Sequence, residues 1–238
     1  MAKRSAPKMR SSTEGGEAPS WQGVRPRHST DYAAGSATQP GRMDRRPNAT
    51  VVPERSAKVK GTKITSKLAF VRAELGDGAE ERVLGALSEE DRDEVRKVLE
   101  IGWYPQELYE RLVRAVVDAG ADGDLKVLDR MGAYSAQAQG QGAYRSFFRA
   151  RDPEGLLQSM APMHAMLNRP GEMTVEPRRN GHVTLRIRSP KGNADVCRLA
   201  RGFYRRAVEL CGAKEVTVRE LECSGSGAEA CRFEVRWR

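Results

Sequence analysis

The sequence predicts an α+β fold: a helical N-terminal half followed by β-β-α-β-β, an antiparallel four-stranded sheet packed on helices. Three observations carry this. Apolar residues recur at helical spacing from Val59 to Leu167. After Pro170 the period drops to two, and Asn180-Gly181 separates two alternating runs in the manner of a tight hairpin. One further helical run and a second alternating pair then close the chain.

Residues 1–57 come first and read as a disordered basic tail. They are rich in Ser, Gly, Pro, Ala and Arg, with Trp21 and Tyr32 as isolated aromatics. Such a segment buries too little apolar surface to offset its ordering entropy. Residues 1–60 carry 12 Lys and Arg against 5 Asp and Glu, so the rest of the chain holds only two of the nine net positive charges. Nucleic-acid contact is therefore expected only through the tail, where it would be salt-sensitive. A plain solubilising extension is the simpler reading.

Residues 58–238 are expected to form a single domain, with a helical half over 58–168 and a sheet half over 172–238. From Val59, the spacing of Ile64, Leu68, Val71 and Leu75 predicts a helix that Gly76 stops. A short helix turns Val83, Leu84 and Leu87 inward. Ser88, with Asp91 three residues on, opens another whose stripe is Val95, Val98 and Leu99, ending at Gly102. Trp103-Tyr104-Pro105 reads as a pair of core anchors at the start of a helix that buries Leu108, Leu112, Val113 and Val116. A long segment from Leu125 to about Ala150 follows, interrupted by Gly140 and Gly142. Asp152-Pro153 opens a Met-rich helix with Met160, Met163, Met166 and the lone histidine His164. As a lone histidine, His164 reads as structural; ligation of a haem iron is the less favoured alternative.

In the sheet half, Glu172–Glu176 and His182–Arg188 are expected strands. Ala194–Leu210 is the intervening helix, ended by Gly212. Val216–Cys223 and Cys231–Trp237 form the second hairpin.

No apolar h-region follows the basic N-terminus, and no apolar run approaches the roughly 18 residues of a transmembrane helix. A reducing cytoplasm is the expected compartment, with thiols free or on metal. No GxGxxG or GxxxxGK[ST] motif is present, and no acid–base pair or nucleophile constellation stands out. The expectation is a protein that is not an enzyme.

All four cysteines, Cys197, Cys211, Cys223 and Cys231, fall in the last 42 residues. Cys223 and Cys231 bracket a Ser/Gly turn, and a hairpin would bring them face to face. With Cys197 and the carboxylate of Glu220 they make a plausible tetrahedral set for zinc. A disulfide, or small buried hydrophobes, are the competing readings. Glu222 competes with Glu220 because both point to one side of an ideal strand. Cys211 reads as core.

The segment Cys197-Arg198-Leu199-Ala200-Arg201-Gly202-Phe203, the Glu220-x-x-Cys223 strand end and Cys231-Arg232-Phe233-Glu234-Val235 resemble the 4-vinyl reductase domain. That domain occurs in bacteriochlorophyll vinyl reductases and in phenol- and toluene-responsive regulators. Its fold resembles a subunit type of the TRAPP tethering complex and, distantly, haem-nitric-oxide domains. The resemblance implies a structural zinc held by Cys197, Glu220, Cys223 and Cys231, since the phenol sensors use a Cys, a Glu-x-x-Cys and a Cys eight positions later. The proximal-histidine context of the haem proteins is absent around His164. Residues 59–238 also resemble a much-duplicated myxobacterial family through Trp103-Tyr104-Pro105 and the Cys231–Trp237 ending. No activity is assigned to that family, so this resemblance implies a fold and not a function.

The resulting expectation is a small-molecule-binding sensory domain. A hydrophobic ligand would lie between the helical half and the sheet, with zinc shaping one end of its pocket. The alternative is an adaptor or homodimerisation module without a small ligand. A vinyl-reductase-type enzyme is a third.

Overall fold

The computed structural model describes residues 56–238 apart from 143, 149, 150, 180, 190 and 191. Nearly all of the expected tail, with Trp21 and Tyr32, lies outside the described residues, as does Asn180 of the first hairpin turn.

Among the described residues, seven α-helices precede or interrupt a four-stranded antiparallel sheet. A short strand β1 (Lys58–Lys60) leads into α1 (Gly61–Glu74), followed by α2 (Ala79–Gly85) and α3 (Glu89–Arg96). The Ser88 hydroxyl caps α3 by accepting from Asp91 N, as the spacing predicted. Strand β2 (Trp103–Pro105) leads into α4 (Gln106–Ala115), which continues through Val116–Gly120 as a π-helical turn. Next come α5 (Lys126–Gln141), a 3₁₀ turn at Arg145–Phe148, α6 (Pro153–Leu167) and β3 (Asn168–Arg169).

The sheet half is β4 (Glu172–Arg179), β5 (His182–Arg188), α7 (Ala194–Leu210), β6 (Thr217–Glu222) and β7 (Cys231–Arg236). The strand order is β4-β5-β7-β6, so the two hairpins meet at their β5 and β7 edges. The helix α7 has the predicted bounds. Its N-cap is Asn193, whose side-chain oxygen accepts from Asp195 N and Val196 N.

Two expectations need correction. Val98 and Leu99 do not continue the α3 stripe: the helix ends at Arg96, and Leu99 is 66% exposed. The loop after α3 instead crosses the start of α1, where Gly61 N donates to Gly102 O and Thr62 N donates to Glu100 O. Lys60 gives α1 no side-chain cap, so these carbonyls serve its orphan N–H groups. Trp103 is not a core anchor: the cations of Lys60 and Arg169 lie 4.6 and 4.0 Å from its ring centre. Its segment joins an unforeseen three-stranded sheet, β2-β1-β3. The long segment from Leu125 is broken where Gly140 and Gly142 interrupt it: α5 stops at Gln141 and a 3₁₀ turn follows at Arg145–Phe148.

Two cores result. One gathers Ile64, Phe70, Tyr109, Leu112 and Leu128 among the helices of the first half. The other sets Leu157 and Met160 of α6, and Ala207 of α7, against Val183, Leu185 and Phe233 of the sheet. Helices α5 and α7 join the halves by an unusually close crossing. A Cβ on Gly132 would lie 2.0 Å from Leu199 O, and one on Gly202 would lie 2.1 Å from Asp129 O. Only glycine admits backbone approach of this kind. Arg201 and Arg198 then pair with Asp129 beside the crossing.

Candidate functional site

The structure brings three of the predicted ligands together. Cys197 lies in the first turns of α7, Cys223 just beyond β6 and Cys231 at the start of β7. Their sulfurs all lie within 4.8 Å of one another. Cys197 Sγ is 3.1 Å from Cys231 Sγ and 3.7 Å from Cys223 Sγ. Tetrahedral zinc with bonds near 2.3 Å sets sulfurs about 3.8 Å apart, so the cluster is already near metal dimensions. All four cysteines are free. Cys211 is buried apart from the cluster, its thiol facing Phe148 O, which fits its reading as core.

The two candidate carboxylates behave differently. A bulge between Glu220 and Glu222 breaks the alternation of an ideal strand, so one pairs opposite Phe233 and the other opposite Arg232. Glu222 is exposed and binds the Arg232 guanidinium at 2.8 Å. Glu220 Oε1 is buried without a hydrogen-bond partner. Its charge bears on the Cys197 thiol. It is not within the tight three-sulfur group itself.

The thiols do not ionise alike. Hydrogen bonding from Cys197 pulls the Cys231 thiol down to about 6, against burial, with further help from Ser224. The same contact pushes Cys197 up, with burial adding to it. Burial, then the Glu220 contact, raises Cys223. One thiolate is thus favoured and a second is opposed by its neighbours. A divalent cation removes that opposition.

Beside the cluster, a cavity of about 160 Å³ lies between the helices and the sheet. Its apolar walls include Met160, Met163 and Leu167 of α6, Leu199 and Phe203 of α7, and Ile187 of β5. Cys231 reaches its wall, so cysteine cluster and cavity adjoin. The Tyr204 ring, also on the wall, packs edge-on against Phe233 at 5.6 Å.

One side of this cavity is polar, and the sequence reading missed it. Lys63 and Lys67 of α1 line it with Ser135 and Gln139 of α5 and His164 of α6. Lys67 is 2% exposed and donates to Ser135 Oγ at 2.5 Å. Lys63 donates to Asn168 Oδ1 at 2.7 Å and stands 4.6 Å from the Tyr109 ring centre. Burial lowers Lys67 to about 7, with the charge of Lys63 adding to the effect, and lowers Lys63 to about 8. Burial and Lys63 hold His164 down at about 4, so its ring is neutral at pH 7. A signal existed: Lys63, Lys67 and Val71 follow one another at i+4, so both lysines border the apolar face of α1.

The sequence pattern of the V4R domain family matches residues 187–237, the stretch that holds the cysteine cluster. The resemblance to the 4-vinyl reductase domain is therefore shown over that stretch. No curated protein matches the chain closely in sequence. Among solved structures, an H-NOX protein from S. oneidensis in the Fe(II)NO ligation state is 15% identical, with a TM-score of 0.60 over 75% of this chain and 99% of that one. The unliganded Fe(II) H-NOX protein from K. algicida is 14% identical, with a TM-score of 0.58 over 75% and 96%. An oxygen-binding H-NOX domain related to soluble guanylate cyclases is 13% identical, with a TM-score of 0.56 over 75% and 95%. At such identities the likeness is one of fold.

The residues present do not fit a haem. The cavity is close to the roughly 150 Å³ that accommodates benzene, well short of a porphyrin. His164, the one histidine on its wall, already has its Nδ1 3.2 Å from the Asn168 amide.

Proposed function

We propose that residues 58–238 are a non-enzymatic sensory domain that binds a small, largely hydrophobic molecule between the helical half and the sheet, with a structural zinc at one end of the site. The observation that carries this reading is the cavity: apolar on most sides, polar on one, and sized for a single ring. Cys197, Cys223 and Cys231 supply three zinc ligands, and Glu220 is the fourth. Four protein ligands leave no open position, so the metal is structural and not catalytic. It clamps the β6–β7 hairpin to α7 and so fixes the wall that carries Cys231. The V4R match over the cluster and the H-NOX-like fold support the same reading.

A thermal-shift panel of phenols, aromatic hydrocarbons and fatty acids on the full chain tests it. A molecule that binds only the native state raises the melting temperature. Filling the cavity by Ala200→Phe should abolish any shift while leaving the protein folded. If no probe shifts the wild type, the reading fails and the adaptor alternative takes its place. Leu99 and Ile101, 66% and 80% exposed on one loop, would be that adaptor's first candidate contact.

A further inference from the structure

We propose that the ligand of the cavity is a small organic anion, a one-ring or short-chain carboxylate, whose head is held by Lys67 and Lys63 while its apolar body lies against the methionines of α6. This rests on the ligand-binding reading above and names the chemistry of the occupant.

Lysine is rarely buried without a charge partner. Here two lysines one helical turn apart face one cavity. Among the described residues neither forms an ion pair with a carboxylate. Lys67 has Ser135 Oγ and a long 3.4 Å contact to Ser66 Oγ, leaving its third donor without a close acceptor. The Ser135 hydroxyl in turn donates to Met131 O, so it accepts from Lys67 and supplies no negative charge. For Lys63 the compensating groups are the Asn168 carbonyl and, at longer range, Glu110. The polar side of the cavity therefore holds ammonium groups that no carboxylate among the described residues neutralises by an ion pair.

A bound carboxylate would supply what is missing. It would accept from both ammonium groups and make protonation of Lys67 favourable. Gln139 offers an adjustable third contact: its Oε1 is buried with no partner, and its amide can turn to present a donor instead. The small volume restricts the body to about one ring or a short branched chain. A neutral phenol or hydrocarbon of the same size would leave the lysines as they are.

The test is calorimetric titration of the full chain at pH 6.5 with benzoate and with benzyl alcohol, a neutral probe of similar size. Benzoate should bind at least about tenfold more tightly, the effect of one charge-assisted hydrogen-bond set. Lys67→Met, checked for folding by its melting curve, should erase this preference and spare benzyl alcohol binding. Lys63→Gln should reduce the preference by a smaller factor. Equal affinity for the two probes in wild type, or an undiminished preference in Lys67→Met, overturns the inference and leaves the ligand-binding reading intact. Binding of neither probe also overturns it. The thermal-shift panel then decides whether the ligand-binding reading falls as well.

Discussion

The Sγ atoms of Cys197 and Cys231 lie 3.1 Å apart, one on α7 and one on the inner strand β7. This contact links the helix that spans both cores to the hairpin that closes the chain. Cys223 and the buried oxygen of Glu220 approach from β6. The bulge separates the two glutamates, so their substitutions should differ. Glu220→Gln should weaken zinc binding by tenfold or more, the order expected for altering a metal ligand. Glu222→Gln should lose only its surface pair with Arg232, worth about 1 kcal/mol at most. Competition with a chromophoric chelator measures both, and equal effects would argue against Glu220 as the fourth ligand.

The α5–α7 crossing makes a second prediction. A methyl group at Gly132 or Gly202 meets backbone, and backbone cannot rotate away. Gly202→Ala should destabilise the protein by roughly 1–3 kcal/mol through overpacking. Gly212→Asn, at an exposed left-handed position with open space around it, should change stability by less than about 1 kcal/mol. Urea melts of the two variants check the contrast.

Stability of the ligand-free protein should depend on pH through Lys67. The charged group acting on it is Lys63 of its own helix, and the Tyr109 ring of α4 lies 6.0 Å from its ammonium; Glu110 and His164 couple to Lys63. Its folded value of about 7 is below the ordinary 10.5. Between those values the unfolded chain holds a proton that the folded chain has released, so stability rises with pH across that window. Lys63 acts in the same direction from about 8, more weakly because part of its surface remains in solvent. Unfolding free energies should climb by an amount on the order of 2 kcal/mol between pH 7 and 9. The slope should flatten in Lys67→Met. A flat wild-type profile would contradict the burial of this ammonium.

Much of this was legible in the sequence because the signals were local. The helix Ala194–Leu210 has an Asn cap before it and Gly212 after it, and its bounds were read correctly. The cysteine cluster was readable because hairpin geometry follows from spacing. The β2-β1-β3 sheet was not: strands of two or three residues carry too little alternation, and Val59 fitted the helical period of α1 equally well. The positions of Val98 and Leu99 depended on a backbone need elsewhere, the uncapped start of α1. Nothing local marks Lys67, because a lysine on a helix is ordinarily solvated. Its burial depends on Ser135, 68 residues away, which no local pattern reveals.

The most direct test of the account is zinc per chain in protein purified without added metal, compared with Cys223→Ser and Cys231→Ser. About one zinc is expected in the wild type, with its loss and a lower melting temperature in both variants, because ligand-set binding energy is folding energy. A wild type without metal and with four titratable free thiols would contradict it, leaving the α7–hairpin junction to packing alone.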